Sequence, residues 1–229
     1  MLERATEDEI EDALAPSATR LLLERPRIEN LTALRPIAPL RELTLVRATR
    51  LTSLRGIEAV AKTLKVLYLH HCPRLADLSD LTAATELEDF AFDTLLSVTS
   101  NQKVGSLTPL AELRNLRSIR MSAVVAADGD LSPLFHLDKL DDVKLPNFYS
   151  VEQMGRLAGA VPPAAAASLA PTKEFTRILG PCPVCGDDRQ VMLIGARRNR
   201  FVCPTCDAPR IEHHIAEYER YRHLETRAS

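Results

Sequence analysis

The chain has 229 residues, 45% hydrophobic and 26% charged, with a formal net charge of -2 at pH 7. That balance excludes a disordered or collagen-like chain and gives no global attraction to nucleic acid or anionic membrane. Aromatics make up 4% and Trp is absent, so any core is expected to be mainly aliphatic. Charge asymmetry is slight: residues 172–229 carry 10 Lys/Arg against 8 Asp/Glu.

The first residues, Met-Leu-Glu-Arg-Ala-Thr-Glu-Asp-Glu, are acidic and lack an apolar run. No secretory leader is expected from them, and no stretch of 18 apolar residues suggests a membrane span. A cytoplasmic location is the resulting expectation. Residues 1–17 are read as an N-terminal cap, with a helix over 7–14.

Beyond the cap, apolar pairs spaced by two recur at Leu21/Leu23, Leu43/Leu45, Leu67/Leu69, Phe90/Phe92, Ile119/Met121 and Val143/Leu145. Their steps are 22, 24, 23, 29 and 24 residues. Spacing of two predicts strands with one buried face. An interleaved pattern spaced by three runs through Leu31-Leu34-Ile37, Leu51-Leu54-Ile57, Leu75-Leu78-Leu81, Leu107-Leu110-Leu113 and Leu131-Leu134-Leu137. Spacing of three predicts 3₁₀ turns, where side chains at i and i+3 eclipse. One coil cannot bury its own apolar row, so stacking must make the core.

These two interlocked patterns, as in Leu64-Lys65-Val66-Leu67-Tyr68-Leu69-His70-His71-Cys72 followed by Leu75-Ala76-Asp77-Leu78, resemble the leucine-rich repeat family in its short-coil, internalin-like bacterial type. The resemblance implies an α/β solenoid over 18–149, with parallel strands on a concave face and 3₁₀ or short helical turns on the convex face. It also implies a protein-binding module rather than an enzyme, in a role such as an adaptor or an immunity-type inhibitor. The family often has Asn or Cys nine residues into each coil; here Pro26, Ala48, Cys72, Leu95, Val124 and Phe148 stand there. With that hydrogen-bonded ladder missing, looser coil-to-coil regularity is expected.

Carried over residue by residue, the concave face presents Leu22, Thr44, Tyr68, Ala91, Arg120 and Lys144 in one row. The next row is Glu24, Val46, His70, Asp93, Ser122 and Pro146. An aromatic and an Arg among polar groups suit a protein-binding hot spot. The candidate partner-binding residues are therefore Tyr68, His70, His71, Asp89, Asp93, Arg120 and Lys144. The two longer coils, 94–106 and 123–130, read as loops beside that face.

Ser150-Val-Glu-Gln153 is a capping box. It opens a helix read as the solenoid's C-terminal cap over 150–163 and stopped by Pro162-Pro163. Residues 164–177 read as a connector.

Next comes Cys182-Pro-Val-Cys185, followed after 17 residues by Cys203-Pro-Thr-Cys206. This C-x₂-C-x₁₇-C-x₂-C spacing is that of a zinc site. Each pair points two thiolates at one ion, and two pairs close a tetrahedral shell without an open position. One structural Zn²⁺ per chain is expected; two local disulfides or an iron site are the alternatives. The whole resembles a zinc ribbon over 178–208, with hairpin strands at 190–194 and 200–202. Its turn carries Arg197, Arg198 and Arg200, candidate phosphate contacts that make DNA or RNA the alternative partner. Asp207 stands where the family often has Gly. In the tail, 209–229, the residues Ile211, Ile215, Tyr218, Tyr221 and Leu224 trace an amphipathic helix.

No Gly-rich phosphate loop, G-x-S-x-G or H-E-x-x-H motif is present. Cys72 beside His70 and His71 sits at an inward repeat position and reads as a core thiol. No catalytic residue is assigned.

Overall fold

Alternation along each predicted strand governs the first of two units, Met1–Pro146 and Asn147–Ser229. The computed structural model describes residues 2–13, 17–34, 39–94, 101–198 and 200–226. Leu14, Ile37, Leu95 and Asn199 lie outside them.

Strands β1 (Leu2–Glu3), β2 (Arg20–Glu24), β3 (Glu42–Val46), β4 (Val66–His70), β5 (Asp89–Asp93), β6 (Gln102–Val104), β7 (Ser118–Ser122), β8 (Val124–Ala126) and β9 (Asp142–Lys144) follow in chain order. Seven form one parallel sheet, β1-β2-β3-β4-β5-β7-β9. Along β2, β3, β4 and β7 the second and fourth residues are buried and the third is half-buried. The inward pairs Leu43/Leu45 and Leu67/Leu69 are wholly buried. The last pair is incomplete: Val143 is buried, but β9 ends at Lys144 and Leu145 is half-exposed.

On the opposite side of the coils, 3₁₀ turns run over Ile57–Ala59, Ser79–Ala83, Thr108–Glu112 and Ser132–Leu134. Side-chain oxygens of Asp77, Ser106 and Asp130 accept the N–H two residues on, at 2.8, 3.1 and 2.9 Å, and open three of these turns. Leu54, Leu78, Leu81, Leu107, Leu110, Leu131 and Leu134 are at most 1% exposed. Each such burial contributes about 1.5–3 kcal/mol.

The expected looseness between coils is absent: β2 to β5 and β7 pair over five residues each without slippage. Backbone groups replace the missing side-chain ladder. The carbonyls of Thr19, Arg41, Lys65, Glu88 and Arg117 each accept two N–H groups from the following coil at 2.7–3.1 Å. Ala48, Cys72 and Val124 fill the ninth position as buried apolar groups. The two long coils also depart from expectation. Their described parts are not free loops: β6 and β8 pair in parallel and bury Val104, Val124 and Ala126. Helix α1 (Glu7–Ala13) precedes the repeats and is opened by a reciprocal capping box, in which Thr6 N–H donates to Glu9 at 2.8 Å and Glu9 N–H to Thr6 Oγ1 at 3.5 Å.

The second unit contains α2 (Val151–Ala160), α3 (Pro163–Ala166), β10 (Thr172–Thr176), β11 (Arg189–Leu193), β12 (Arg200–Val202) and α4 (Ala208–Thr226). Ser150 Oγ caps α2 by accepting the Gln153 N–H at 3.2 Å. The helix read as the solenoid's cap belongs to this unit and packs on α4. Glycines four apart, one helical turn, permit the approach. A Cβ on Gly155 would lie 2.7 Å from the Tyr218 carbonyl oxygen, and one on Gly159 would lie 2.1 Å from that of Arg222. Tyr218 is fully buried there, its hydroxyl within 3.1 Å of the Met154 carbonyl oxygen and 2.5 Å of that of Leu169.

Residues 164–177 are not a plain connector either. They hold most of α3 and all of β10, which pairs antiparallel with β11 over five residues, so the sheet is β10-β11-β12. Thr-Lys-Glu-Phe-Thr has one apolar residue and no period-two signal, which hides this strand from sequence.

Candidate functional site

Parallel register brings the predicted row into line: Leu22, Thr44, Tyr68, Ala91, Arg120 and Lys144 are successive partners across six strands. Ala91 is buried, so it supplies a floor rather than a contact. Tyr68 and Arg120 flank it, both half-buried. Asp89 precedes that row on β5, and His70 pairs with Asp93 in the next one. The side chains of Tyr68, His70 and Arg120 make no hydrogen bond or ion pair among the described residues.

Others on this face are already engaged. Asp93 accepts the Ser122 N–H at 3.1 Å, and His71 Nδ1 lies 3.3 Å from Thr94 Oγ1. Lys144 pairs with Asp142 at 2.8 Å. His71 has left the strand: its φ is 58° and its N–H bonds the Asp93 carbonyl oxygen at 2.7 Å. Cys72 is wholly buried, and burial pushes its thiol up to about 12, the opposite of a nucleophile's shift.

In the second unit the four predicted cysteines converge, all sulfurs within 4.8 Å of one another. Cys182 and Cys206 are 3.8 Å apart, Cys185 and Cys203 3.5 Å. Disulfide sulfurs lie about 2.05 Å apart. Around a tetrahedral Zn²⁺ with 2.3 Å bonds they lie about 3.8 Å apart, so the donor set fits a metal ion. The N–H groups of Cys185 and Val184 draw Cys182 down to about 7, while the Cys185 sulfur pushes Cys206 up to about 12. Accumulating thiolate charge resists further ionisation, and a cation removes that resistance.

Neighbouring groups fix the two knuckles. Gly186 N–H donates to the Cys182 carbonyl and Asp207 N–H to the Cys203 carbonyl, both at 2.9 Å. Asp207 Oδ2 also accepts the Cys203 N–H at 2.9 Å, a bond Gly could not make. Asp187 joins the two knuckles: it binds the Arg189 side chain and N–H and the Thr205 hydroxyl, which hold its carboxyl well below the usual carboxylate range.

The hairpin turn carrying Arg197, Arg198 and Arg200 does not project freely. Asn147 is buried and donates to the Leu193 and Arg198 carbonyls at 2.7 and 3.2 Å, and its side-chain oxygen accepts the Gly195 N–H at 2.7 Å. Gly195 has φ +85°, and a Cβ there would meet Val151 Cα at 2.6 Å. The three arginine side chains are nonetheless exposed. Phe175, from the segment read as a connector, meets Phe201 edge-on at 5.5 Å, and Lys173 lies 5.4 Å from the Phe175 ring. A shallow cavity of about 240 Å³ adjoins them, lined by Leu179, Pro181, Gln190 and Phe201 among others. His214 is buried against the Pro171 carbonyl at 3.2 Å, away from the cysteines' donor set.

No protein-family model and no curated protein matches the chain. Among solved structures, internalin C2 from Listeria monocytogenes matches with 23% identity and a TM-score of 0.40, over 61% of this chain and 65% of that one. The chain thus spans slightly less than two thirds of that protein's length. So slight a likeness bears on neither partner nor role. The first unit's stacked arrangement of parallel strands and 3₁₀ turns is read from its own coils. Among the described residues no helix is long and apolar enough to cross a membrane.

Proposed function

We propose that the chain is a non-enzymatic protein-interaction module that binds a protein partner on the concave sheet face, as an adaptor or immunity-type inhibitor does. The observation carrying this reading is the central row, where Tyr68 and Arg120 flank Ala91 and His70 stands in the next row; among the described residues none of these three polar side chains has a hydrogen bond or ion pair. Aromatic and Arg side chains of this kind anchor interfaces. Asp89, Asp93, His71 and Lys144 border them. Capture of partners from native cell extract with the wild type, Tyr68→Ala and Arg120→Ala tests it. Loss of the same captured protein in both variants supports the face, and undiminished capture by both sinks it.

The second unit, on this reading, is a zinc ribbon in which Cys182, Cys185, Cys203 and Cys206 hold one structural Zn²⁺. The ion supplies folding energy and no chemistry, because the four sulfurs leave no open position.

A second reading assigns DNA or RNA contact to the ribbon hairpin. It is favoured by the Phe175–Phe201 pair beside exposed Arg197, Arg198 and Arg200, a mixture of stacking and charge that suits single strands. It predicts salt-sensitive binding that disappears when the three arginines are changed together. No mobility shift with single-stranded DNA or RNA at low salt would remove it.

A further inference from the structure

The residues immediately after β1, β2, β3 and β4 are Arg4, Arg25, Arg47 and His71, at φ 56°, 49°, 54° and 58°. Each donates its N–H to the last carbonyl of the next strand, those of Glu24, Val46, His70 and Asp93, all at 2.7 Å. The backbone alone therefore satisfies the turn, and the side chain is free to vary. Stacked coils place these side chains in one column, about 4.8 Å apart.

The three arginines are exposed. Arg25 reaches Glu3 at 3.7 Å, while Arg4 and Arg47 make no ion pair among the described residues. For the fold alone this choice is unfavourable twice over. A left-handed φ disfavours any side chain with a Cβ and suits Gly or Asn. Like charges on neighbouring strands also repel. At the same place in later coils stand Thr94 and Ala123, so the cationic column is confined to the N-terminal coils. Ala123 shares the left-handed φ, at 56°, so the fold sets the turn, and it is the choice of Arg in three neighbouring coils that folding leaves unexplained.

In those same coils the sheet face carries half-buried Leu22, Val46, Val66 and Tyr68. Apolar surface bordered by cations complements an apolar stripe bordered by carboxylates. Glu3, Glu24 and Glu42 punctuate the positive charge, so the column suits carboxylates placed singly against Arg4 and Arg47 rather than a continuous phosphate backbone tracking along it. Resting on the concave-face reading, we infer that Arg4, Arg25 and Arg47 recognise an acidic amphipathic protein segment whose apolar side lies on Leu22, Val46 and Tyr68.

The probe is a fluorescein-labelled synthetic helix of about 20 residues with one Leu stripe flanked by Glu. Its Lys-for-Glu twin and a labelled DNA duplex are run beside it. The Glu helix binds the wild-type protein, more weakly as salt is raised, and loses about tenfold or more in affinity for the triple variant Arg4→Asn, Arg25→Asn, Arg47→Asn. The triple variant melts no lower than wild type, because Asn tolerates the left-handed conformation. Should it fail to fold, Arg47→Asn alone carries the test, with about a threefold loss. No binding of the Glu helix, equal binding by the variant, or tighter binding of the Lys twin or the duplex overturns the inference. If Tyr68→Ala weakens the Glu helix while the arginine variant does not, the concave face survives and the column falls. Indifference to both changes removes both.

Discussion

The two units solve the problem of a small core in opposite ways. In the first, aliphatic side chains repeat at fixed spacing and every coil buries its row against the next, so cohesion is spread along the sheet. In the second, the three-stranded sheet gathers a small hydrophobic cluster of Val191, Leu193 and Val202, backed by Ala196 and Ile211, and four sulfurs converge at its far end. Cysteine shows the contrast most sharply. Cys72 is one more apolar filler in a stacked row, whereas Cys182, Cys185, Cys203 and Cys206 hold together loops that bury little. Distributed cohesion tolerates local damage, and concentrated cohesion fails at one place.

That contrast is open to direct attack. On the zinc-ribbon proposal, chelation, or Cys182→Ser with Cys203→Ser, removes the largest single contribution, since structural zinc is worth about 10–16 kcal/mol in small sites. Metal analysis should return about one Zn per chain by the four-ligand count. Hydrogen exchange should show β10–β12 losing protection while β2–β7 keep theirs. A metal-free protein with a fully protected C-terminal sheet would break the comparison. Next in size, Leu67→Ala opens a cavity in the middle of the stacked rows and costs about 2–5 kcal/mol in denaturant unfolding. Loss of the whole first unit from this one change would show that cohesion there is less distributed than the burial pattern implies.

Gly159→Ala sharpens the helix contact of the second unit. The added Cβ meets the Arg222 backbone, and overpacking costs about 1–3 kcal/mol, read as a lowered midpoint for α2–α4. The smallest effect near neutral pH concerns Cys72. Because burial raises its pKa in the folded state to about 12 from an ordinary value near 9, the folded form holds its proton where the unfolded form has lost it. Its contribution to stability is fully present below about pH 9 and declines as pH rises towards about 12. An alkylating reagent at pH 8 should leave Cys72 unmodified until the protein is unfolded; rapid modification in the native state would contradict its burial.

Much of this was legible in the chain itself. Apolar pairs spaced by two identified strands β2, β3, β4, β5 and β7, and since side chains alternate, they also fixed which residues face inward and which form the Tyr68–Arg120 row. Three-residue spacing located the 3₁₀ turns, and C-x₂-C spacing selected the four converging sulfurs. These signals are periodic or local, so they survive without knowledge of neighbours. The ownership of α2 was decided only by tertiary structure, because an apolar helix face does not say what will cover it. So was the strand status of 172–176, whose five backbone bonds to β11 need no apolar pattern. Pairing of β6 with β8, the approach of α4 over Gly155 and Gly159, and the left-handed arginine column likewise arise only when distant segments meet. Periodicity in sequence specifies which side chains are buried; contact between distant backbones specifies what buries them.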